Sequence, residues 1–133
     1  MQRNSVNKVL LVGRTGSDAD VRYTTKGMAM ATVSLATTEA RKDEKGEFQD
    51  ITEWHRVVVF GKIAEFTENY VKKGALIYVE GRLQTRSWDD KEEKRHFMTE
   101  VVGDKLTMLG GWKKGNGEEA PTAIAENEEE VPF

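Results

Sequence analysis

The sequence predicts an all-β barrel with one short helix and an acidic tail. Runs rich in β-branched and aromatic residues are separated by glycines and charged turns, as strands are, and a single segment carries apolar residues at helical spacing. The length of 133 residues leaves room for one domain and a tail, and a domain of this size buries about 65% of its unfolded surface.

The predicted strands share high β propensity and end at turn-forming residues. They cover residues 6–12, 28–38, 52–60, 75–88 and 96–109, with a short extended piece at 21–23. The first strand is expected to end at residues 13–16. Residues 39–51 are charged and contain Gly46, which is typical of a mobile hairpin tip, and residues 89–94 predict a second charged tip.

The single predicted helix lies between the third and fourth main strands. Ile63, Phe66 and Tyr70 share one helical face, and the helix is expected to continue through Lys73 to a stop at Gly74. Five strands with one short helix in this position predict the OB-fold, a Greek-key barrel whose open face and loops bind oligonucleotides or oligosaccharides. An SH3-like barrel would not need the helix.

The strand over residues 52–60 carries the first candidate site. Because side chains alternate along a strand, Trp54, Arg56 and Phe60 share one face while His55 lies on the other. Rings can stack on nucleobases and a guanidinium can contact a phosphate, so this face suits unpaired nucleic acid. Core rings with an arginine at their edge would give the same pattern, and this strand alone leaves the two interpretations even.

The strand over residues 75–88 repeats that pattern. Arg82, Gln84, Arg86 and Trp88 lie two residues apart and would share a face. A second row of cations that ends in an aromatic residue is again typical of a surface for unpaired nucleic acid.

The composition argues against catalysis. The chain has no cysteine, and therefore no disulfide, thiol nucleophile or sulfur-ligated zinc. His55 and His96 lie in predicted strands and belong to no recognisable metal pattern or nucleophile pair. We expect no enzyme activity, no metal and no cofactor. The N-terminus lacks a signal peptide and no stretch is long enough to span a membrane, so we expect a soluble, cytoplasmic protein.

The negative charge of the chain belongs to its C-terminal tail. The whole chain carries −3, whereas residues 113–133 carry −4 and residues 1–112 carry +1. The overall charge therefore neither supports nor excludes a nucleic-acid ligand. Residues 111–127 have few apolar groups and are predicted to form a flexible linker after a domain over residues 1–110.

The end of the tail is a second candidate site. It joins an acidic run to an apolar tip with a terminal carboxylate: Glu128, Glu129, Glu130, Val131, Pro132 and Phe133. A phenylalanine and a carboxylate can dock together in a basic pocket, and the glutamates can steer them there. The tip predicts a partner-binding site, although the glutamates alone would suit a solubilising tail.

Several short motifs follow one another along the chain: VNKV at 6–9, DVRY at 20–23, TEWHRVV at 52–58, FGK at 60–62, KG at 73–74, YVEG at 78–81 and QTRSW at 84–88. Together, and in this order, they resemble the bacterial single-stranded DNA-binding protein family. The similarity covers residues 1–110 and resumes at the acidic Pro-Phe terminus. It implies a homotetramer of OB-folds wrapped by DNA in the nucleoid, with a tip that recruits replication, recombination and repair proteins.

The resemblance also implies roles for individual residues. Trp54, Phe60 and Trp88 would stack on bases, and His55 would lie at a subunit contact, unless it packs within its own barrel. The basic residues expected along the DNA path are Arg3, Lys8, Arg22, Arg56, Lys62, Lys73 and Arg86, to which Arg82 is added because it shares a face with Trp88.

The chain departs from the family after the second strand. The family often has a further tryptophan there, where this chain has Ala40 followed by Arg41. A planar guanidinium can also lie on a base, so Arg41 is expected to replace that stacking surface in part. Contact with DNA at this hairpin is expected to be weaker, or to follow a different path.

The sequence therefore predicts a non-catalytic OB-fold protein that coats single-stranded DNA and docks partners through residues 128–133. Two alternatives remain open. One is an OB-fold protein for single-stranded RNA, which the 2′-hydroxyl would distinguish from DNA. The other is a protein-interaction scaffold whose aromatic residues form a subunit interface, and which would show no salt-dependent binding of polynucleotides.

Overall fold

The fold is described by a computed structural model over residues 3–110 and 124–126. This part of the chain forms seven strands and one helix. In order they are β1 Val9–Thr15, β2 Asp20–Tyr23, β3 Ala29–Lys42, β4 Phe48–Phe60, α1 Gly61–Tyr70, β5 Leu76–Asp89, β6 Arg95–Gly110 and β7 Ile124–Glu126. No helix of the described residues is long and apolar enough to cross a lipid bilayer.

The strands form one closed sheet. The order is β1-β5-β6-β4-β3-β2, and β1 closes the barrel by pairing with β3 as well. The β4–β6 pair is parallel, at Val57 with Val101 and Val58 with Val102, whereas the other pairs of described strands are antiparallel. The five long strands, with α1 between the third and fourth of them, confirm the predicted OB-fold.

The core fills the barrel and lies against α1. Alternate residues of β3 point inward, and Ala31, Val33 and Leu35 are buried while their neighbours are partly exposed. Ile63 and Ala64 of α1 have no exposed surface. Burial of a large aliphatic side chain stabilises a fold by about 1.5–3 kcal/mol, and a shift of one residue in β3 would exchange its two faces. The core therefore fixes which side chains point outward.

β1 differs from its prediction at both ends. It begins at Val9 and continues through Thr15, so residues 13–15 belong to the strand and do not form the expected turn. The extension has a partner, because Arg14 pairs with Ala36 and Thr15 pairs with Leu35. These pairs close the barrel, and local sequence does not reveal them.

The predicted tip over residues 39–51 is mostly strand. The β3–β4 ladder continues to the pair of Lys42 with Phe48, which leaves residues 43–47 as the turn. Asp43 Oδ1 accepts the backbone N–H groups of Lys45 and Glu47, each at 2.9 Å. Because of this turn, residues 39–42 pair with residues 48–51 in the ladder. The second predicted tip is confirmed, since β5 ends at Asp89 and β6 begins at Arg95.

α1 is one turn shorter than predicted. It ends at Tyr70, so Lys72 and Lys73 follow the helix and do not form its last turn. The backbone of this segment bonds to β1 instead. Thr15 Oγ1 donates to the Lys72 carbonyl at 2.8 Å, and the Gly74 N–H donates to the Thr15 carbonyl at 3.0 Å.

The last described strand falls inside the range predicted as linker. β7 pairs with β6 at Lys105 with Glu126, Leu106 with Ala125 and Thr107 with Ile124. β6 pairs with β4 only around residues 101 and 102, so its backbone groups further along are available to another strand. The sequence of residues 124–126 has no strong β pattern. We therefore attribute the pairing to the open edge of β6.

Candidate nucleic-acid interface

One outward surface of the barrel carries most of the predicted site. It holds Trp54 and Arg56 of β4 and Arg86 and Trp88 of β5, and it is termed the aromatic face. The indole of Trp54 is 60% exposed and that of Trp88 is 44% exposed. These rings are therefore not part of the barrel core, which was the competing interpretation of their strands.

Trp54 lies against the end of β1. It pairs across the sheet with Ala36, and its indole edge passes over Gly16 so closely that a Cβ at Gly16 would come within 2.6 Å of the ring. Beside the ring is an open groove of about 200 Å³, lined in part by Ser34 and Arg56. The absence of a side chain at Gly16 thus allows the ring to lie along the barrel with its outer surface exposed.

Trp88 lies on a histidine instead. The rings of Trp88 and His96 are stacked, with centroids 5.6 Å apart and planes inclined by 23°. His96 Nε2 donates to Asp90 Oδ2 at 2.6 Å, and this hydrogen bond is the main reason that the pKa of Asp90 lies below its ordinary value. Asp90 and His96 therefore hold the orientation of the Trp88 indole, a role the sequence did not suggest for either.

A buried glutamate joins the two strands of the aromatic face. Glu100 of β6 has no exposed side-chain surface, and it accepts hydrogen bonds from Arg56 Nε at 2.7 Å and Arg86 Nε at 2.5 Å. Arg86 Nη2 donates a further bond at 3.2 Å. Burial raises the pKa of Glu100, but hydrogen bonds from the two guanidiniums outweigh it and hold the pKa below its ordinary value. Glu100 is therefore ionised at neutral pH.

The glutamate leaves both arginines able to bind a ligand. Each guanidinium has five N–H donors, and Glu100 takes one from Arg56 and two from Arg86. Both side chains are 42% exposed, so the remaining donors can reach an anion in solvent. Sequence reasoning missed Glu100. The available signal was an acidic residue within the β-branched run over residues 99–102.

Phe60 does not lie with the exposed tryptophans. It is only 2% exposed and packs in a small outer cluster with Val58 and Val102, against which Met28 and Met30 lie. In this conformation its ring has too little exposed surface for a base to stack on it. The expected stacking role of Phe60 remains a prediction that requires the methionines to move.

Three predicted basic residues lie near the aromatic face. Arg82 occupies the same row of β5 as Arg86, and its Nη2 is 3.4 Å from Gln84 Oε1. Arg22 of β2 pairs with Met30, which pairs with Phe60, so these side chains share the outward surface. Lys62 of α1 borders an open cavity of about 410 Å³ whose lining includes Met28 of the outer cluster.

The structure does not bring the other three predicted basic residues to the aromatic face. Lys8 Nζ forms an ion pair with Glu80 Oε1 at 2.7 Å, beyond the Arg82 end of the β5 row. The backbone N–H of Lys73 donates to Asp18 Oδ1 at 2.8 Å, in the segment between α1 and β5. Arg3 is exposed in the segment before β1. Their expected contacts with DNA remain predictions.

His55 and Arg41 lie on the opposite side of the β3–β4 hairpin from Trp54. His55 is half-buried and its Nε2 lies 2.8 Å from Thr37 Oγ1, so its expected subunit contact remains a prediction. Arg41 bonds to Glu39 at 3.2 Å. Strand alternation places the Arg41 side chain on the side opposite to Trp54 and leaves Ala40 on the Trp54 side. The expected stacking role of Arg41 remains a prediction.

The predicted docking tip over residues 128–133 lies outside the described residues. Within the part of the chain that the structure describes, no group of three histidine, cysteine, aspartate or glutamate side chains could hold a metal ion.

The barrel and the aromatic face together define an OB-fold module for single-stranded nucleic acid, which combines exposed rings with cations on one open surface. The chain matches the model of the single-strand binding protein family over residues 6–109. It belongs to that family.

Similar proteins agree with this assignment. The chain is 45% identical over 112 residues to a single-stranded DNA-binding protein of Xylella fastidiosa, a match that covers 84% of this chain and 68% of the relative. It also resembles a solved Plasmodium falciparum SSB in complex with ssDNA, with a TM-score of 0.72 and 36% identity. That match covers 82% of this chain and 99% of the other.

Proposed function

We propose that this protein binds single-stranded DNA without sequence selectivity and coats it. The observation that carries the proposal is a pair of exposed tryptophans beside two arginines that Glu100 holds in place. Every base has a π surface, so stacking accepts any sequence, and each stack is worth about 1–3 kcal/mol by alanine substitution.

Phosphate contacts supply the second part of the affinity. Arg56 and Arg86 keep exposed N–H donors beside the rings, and Arg82 extends the same row. Each phosphate that the protein neutralises releases counterions, so the logarithm of the binding constant should fall by about 0.7 per phosphate for each unit of log salt concentration. A scaffold protein would show no such dependence.

The biological role follows the family. We infer that the protein protects single strands and prevents re-pairing during replication, recombination and repair, without catalysis, in the nucleoid of the cytoplasm. The sequence of residues 128–133 supports docking of partner proteins there.

The outward surface of β1 supports self-association. Leu10 is 59% exposed and Val12 is 51% exposed, and Val12 pairs with Tyr78 of β5. An outward apolar strip on a barrel strand is typical of a protein interface. We propose that this strip is one of the subunit contacts of a homotetramer.

The test is a titration of the full chain with labelled oligo(dT), followed by anisotropy and by tryptophan quenching at low and high salt. Trp54→Ala and Trp88→Ala should each weaken binding by about fivefold to more than a hundredfold, which corresponds to the loss of one stack. Circular dichroism would establish that each variant is folded. Unchanged affinity in both folded variants would overturn the proposal.

The same experiment separates DNA from RNA. Oligo(dU) and oligo(rU) differ only in the 2′-hydroxyl, so their competition for the protein reports that group alone. Tighter binding of oligo(rU) would replace the proposed ligand with RNA. An absence of salt-dependent binding to either would favour the scaffold.

A further inference from the structure

The outward side that carries Trp54 continues along the β3–β4 hairpin. The register of this hairpin has no break, so alternate residues of β4 keep the same side up to the turn. They are Phe48, Asp50, Thr52 and Trp54. The hydroxyls of Thr38 and Thr52 are hydrogen-bonded at 3.0 Å across this side, which ties the two strands together between Trp54 and the turn.

An exposed ring and a cation lie at the end of this row. Phe48 is 71% exposed, and Lys42, directly across the ladder, has its Nζ 5.8 Å from the ring centroid. A lone exposed ring is common on protein surfaces. A ring with a cation beside it, on the side of the sheet that bears Trp54, repeats the chemistry of the aromatic face.

We propose that Phe48 and Lys42 extend the single-stranded DNA interface along the β3–β4 hairpin, with Phe48 stacking on a base and Lys42 contacting a neighbouring phosphate. The inference rests on the proposed function. Phe48 lies six residues from Trp54, which is about 20 Å along a strand. Single-stranded DNA can span that separation, because one OB-fold binds about 4–16 nucleotides.

A negative charge in the row formed by Phe48, Asp50, Thr52 and Trp54 limits how single-stranded DNA can lie along it. Asp50 is exposed between Trp54 and Phe48 and pairs with Ala40. A carboxylate repels phosphate, so the backbone of the bound strand should pass beside Asp50 and approach the hairpin again at Lys42. Stacking on Phe48 is therefore the main contact, and the lysine is the smaller one.

The second hairpin supplies a matched control. Phe97 of β6 is 67% exposed, and the guanidinium of Arg95 lies 5.9 Å from its ring centroid. Phe97 pairs with Ser87, so it lies on the side of its hairpin opposite to Trp88. The two phenylalanines thus match in exposure and in cation, and they differ in which side of the sheet they occupy.

The experiment compares Phe48→Ala and Phe97→Ala in the full chain, with a short oligo(dT) that reaches only the barrel and a longer one that can also reach the hairpin. Phe48→Ala should weaken binding of the longer oligonucleotide by about fivefold to tenfold, which is near the lower end of the affinity lost with one stacked base. Binding of the short oligonucleotide should be unchanged. Phe97→Ala should change neither. Lys42→Gln should reduce the salt slope by about 0.7 with the longer oligonucleotide only.

The outcomes distinguish this inference from the proposed function. If Phe48→Ala binds the longer oligonucleotide normally while Trp54→Ala binds weakly, the hairpin inference is wrong and the proposed function stands. If the unaltered chain binds no oligonucleotide, the proposed function fails. Equal losses in Phe48→Ala and Phe97→Ala, or a loss that accompanies a change of sedimentation coefficient, would also overturn the inference.

Discussion

The two long hairpins of the barrel, β3–β4 and β5–β6, turn in the same way. In the first, the Asp43 carboxylate accepts the N–H groups of Lys45 and Glu47. In the second, Asp90 accepts those of Glu92 and Lys94 at 2.8 and 2.9 Å. Five-residue turns of one design therefore end two hairpins whose sequences have little else in common.

The hairpins differ in the side of the sheet on which their exposed phenylalanine lies. Phe48 lies on the same side as Trp54, whereas Phe97 lies on the side opposite to Trp88. Composition alone would treat these phenylalanines as equivalent. The odd or even position of a residue along its strand, more than its type, therefore decides whether it lies on the side of the aromatic face.

The hairpins meet at Glu100, where the largest expected effect lies. Arg56→Gln with Arg86→Gln would leave a buried carboxylate without its cations, and we expect a loss of about 2–4 kcal/mol in the free energy of unfolding. This is less than for a fully buried ion pair, because both arginines are 42% exposed. Arg86→Gln alone should cost more than Arg56→Gln, because Arg86 donates two bonds to Glu100 and Arg56 donates one. Urea unfolding at fixed protein concentration measures both.

A third substitution makes that test specific. Adding Glu100→Gln removes the buried charge and should recover a large part of the lost stability. If the triple variant is no more stable than the double variant, the loss has another cause.

An effect of intermediate size comes from the third residue after each turn aspartate. Gly46 has φ +81° and Glu93 has φ +64°, so both occupy the left-handed region. Gly46→Ala should lower the free energy of unfolding by about 1 kcal/mol, whereas Glu93→Gly should raise it by about 0.5 kcal/mol, because only glycine adopts this conformation without strain. Urea unfolding gives both values, and a shift of the same sign in the two variants would contradict the comparison.

The smallest expected effect is the pH dependence of the turn aspartates. Backbone hydrogen bonding, chiefly from Glu47, lowers the pKa of Asp43, and the hydrogen bond from His96 lowers that of Asp90, from an ordinary value of 3.8. Because the folded pKa is lower than the unfolded one, both groups stabilise the fold above pH 3.8, and that stability is lost as the pH falls through the folded pKa.

Asparagine at either position keeps an acceptor and removes the charge. The unfolding free energies of Asp43→Asn and Asp90→Asn should therefore depend less on pH below 3.8 than that of the unaltered chain. Unfolding measured at pH 5 and at acid pH provides the comparison. An identical pH dependence in all three proteins would show that these carboxylates do not contribute.

Alternation and glycine placement predicted much of the fold and of the site. The period of two along residues 52–60 and 82–88 correctly separated outward from inward side chains, so Trp54, Arg56, Arg86 and Trp88 lie on one surface as expected. Local patterns suffice for such features because the barrel interior imposes one parity on each strand.

The features that were missed depend on partners distant in sequence. Residues 39–42 look like loop, yet they pair with residues 48–51 once the turn at Asp43 forms. Phe60 has the parity of Trp54, but Met28 and Met30 lie against its cluster. Glu100 became a site residue only when β6 was placed between β4 and β5. The side of the sheet that each residue occupies was predictable from the sequence. Burial by residues of other strands, as at Phe60, and ion pairing, as at Glu100, were not.

The pairing of β1 has a consequence for how the chain folds. Val9 pairs with Gly81, whereas each hairpin closes across a five-residue turn, so the hairpins can form early and β1 can be completed only late. During synthesis at about 5–20 residues per second, the first strand would wait about 4–14 s for its partner. Its side chains Val9 and Leu11, which pack against the core in the folded barrel, lack those contacts for that interval. The nascent N-terminus is therefore the segment of this barrel most in need of a chaperone, or of slow dilution when the protein is refolded.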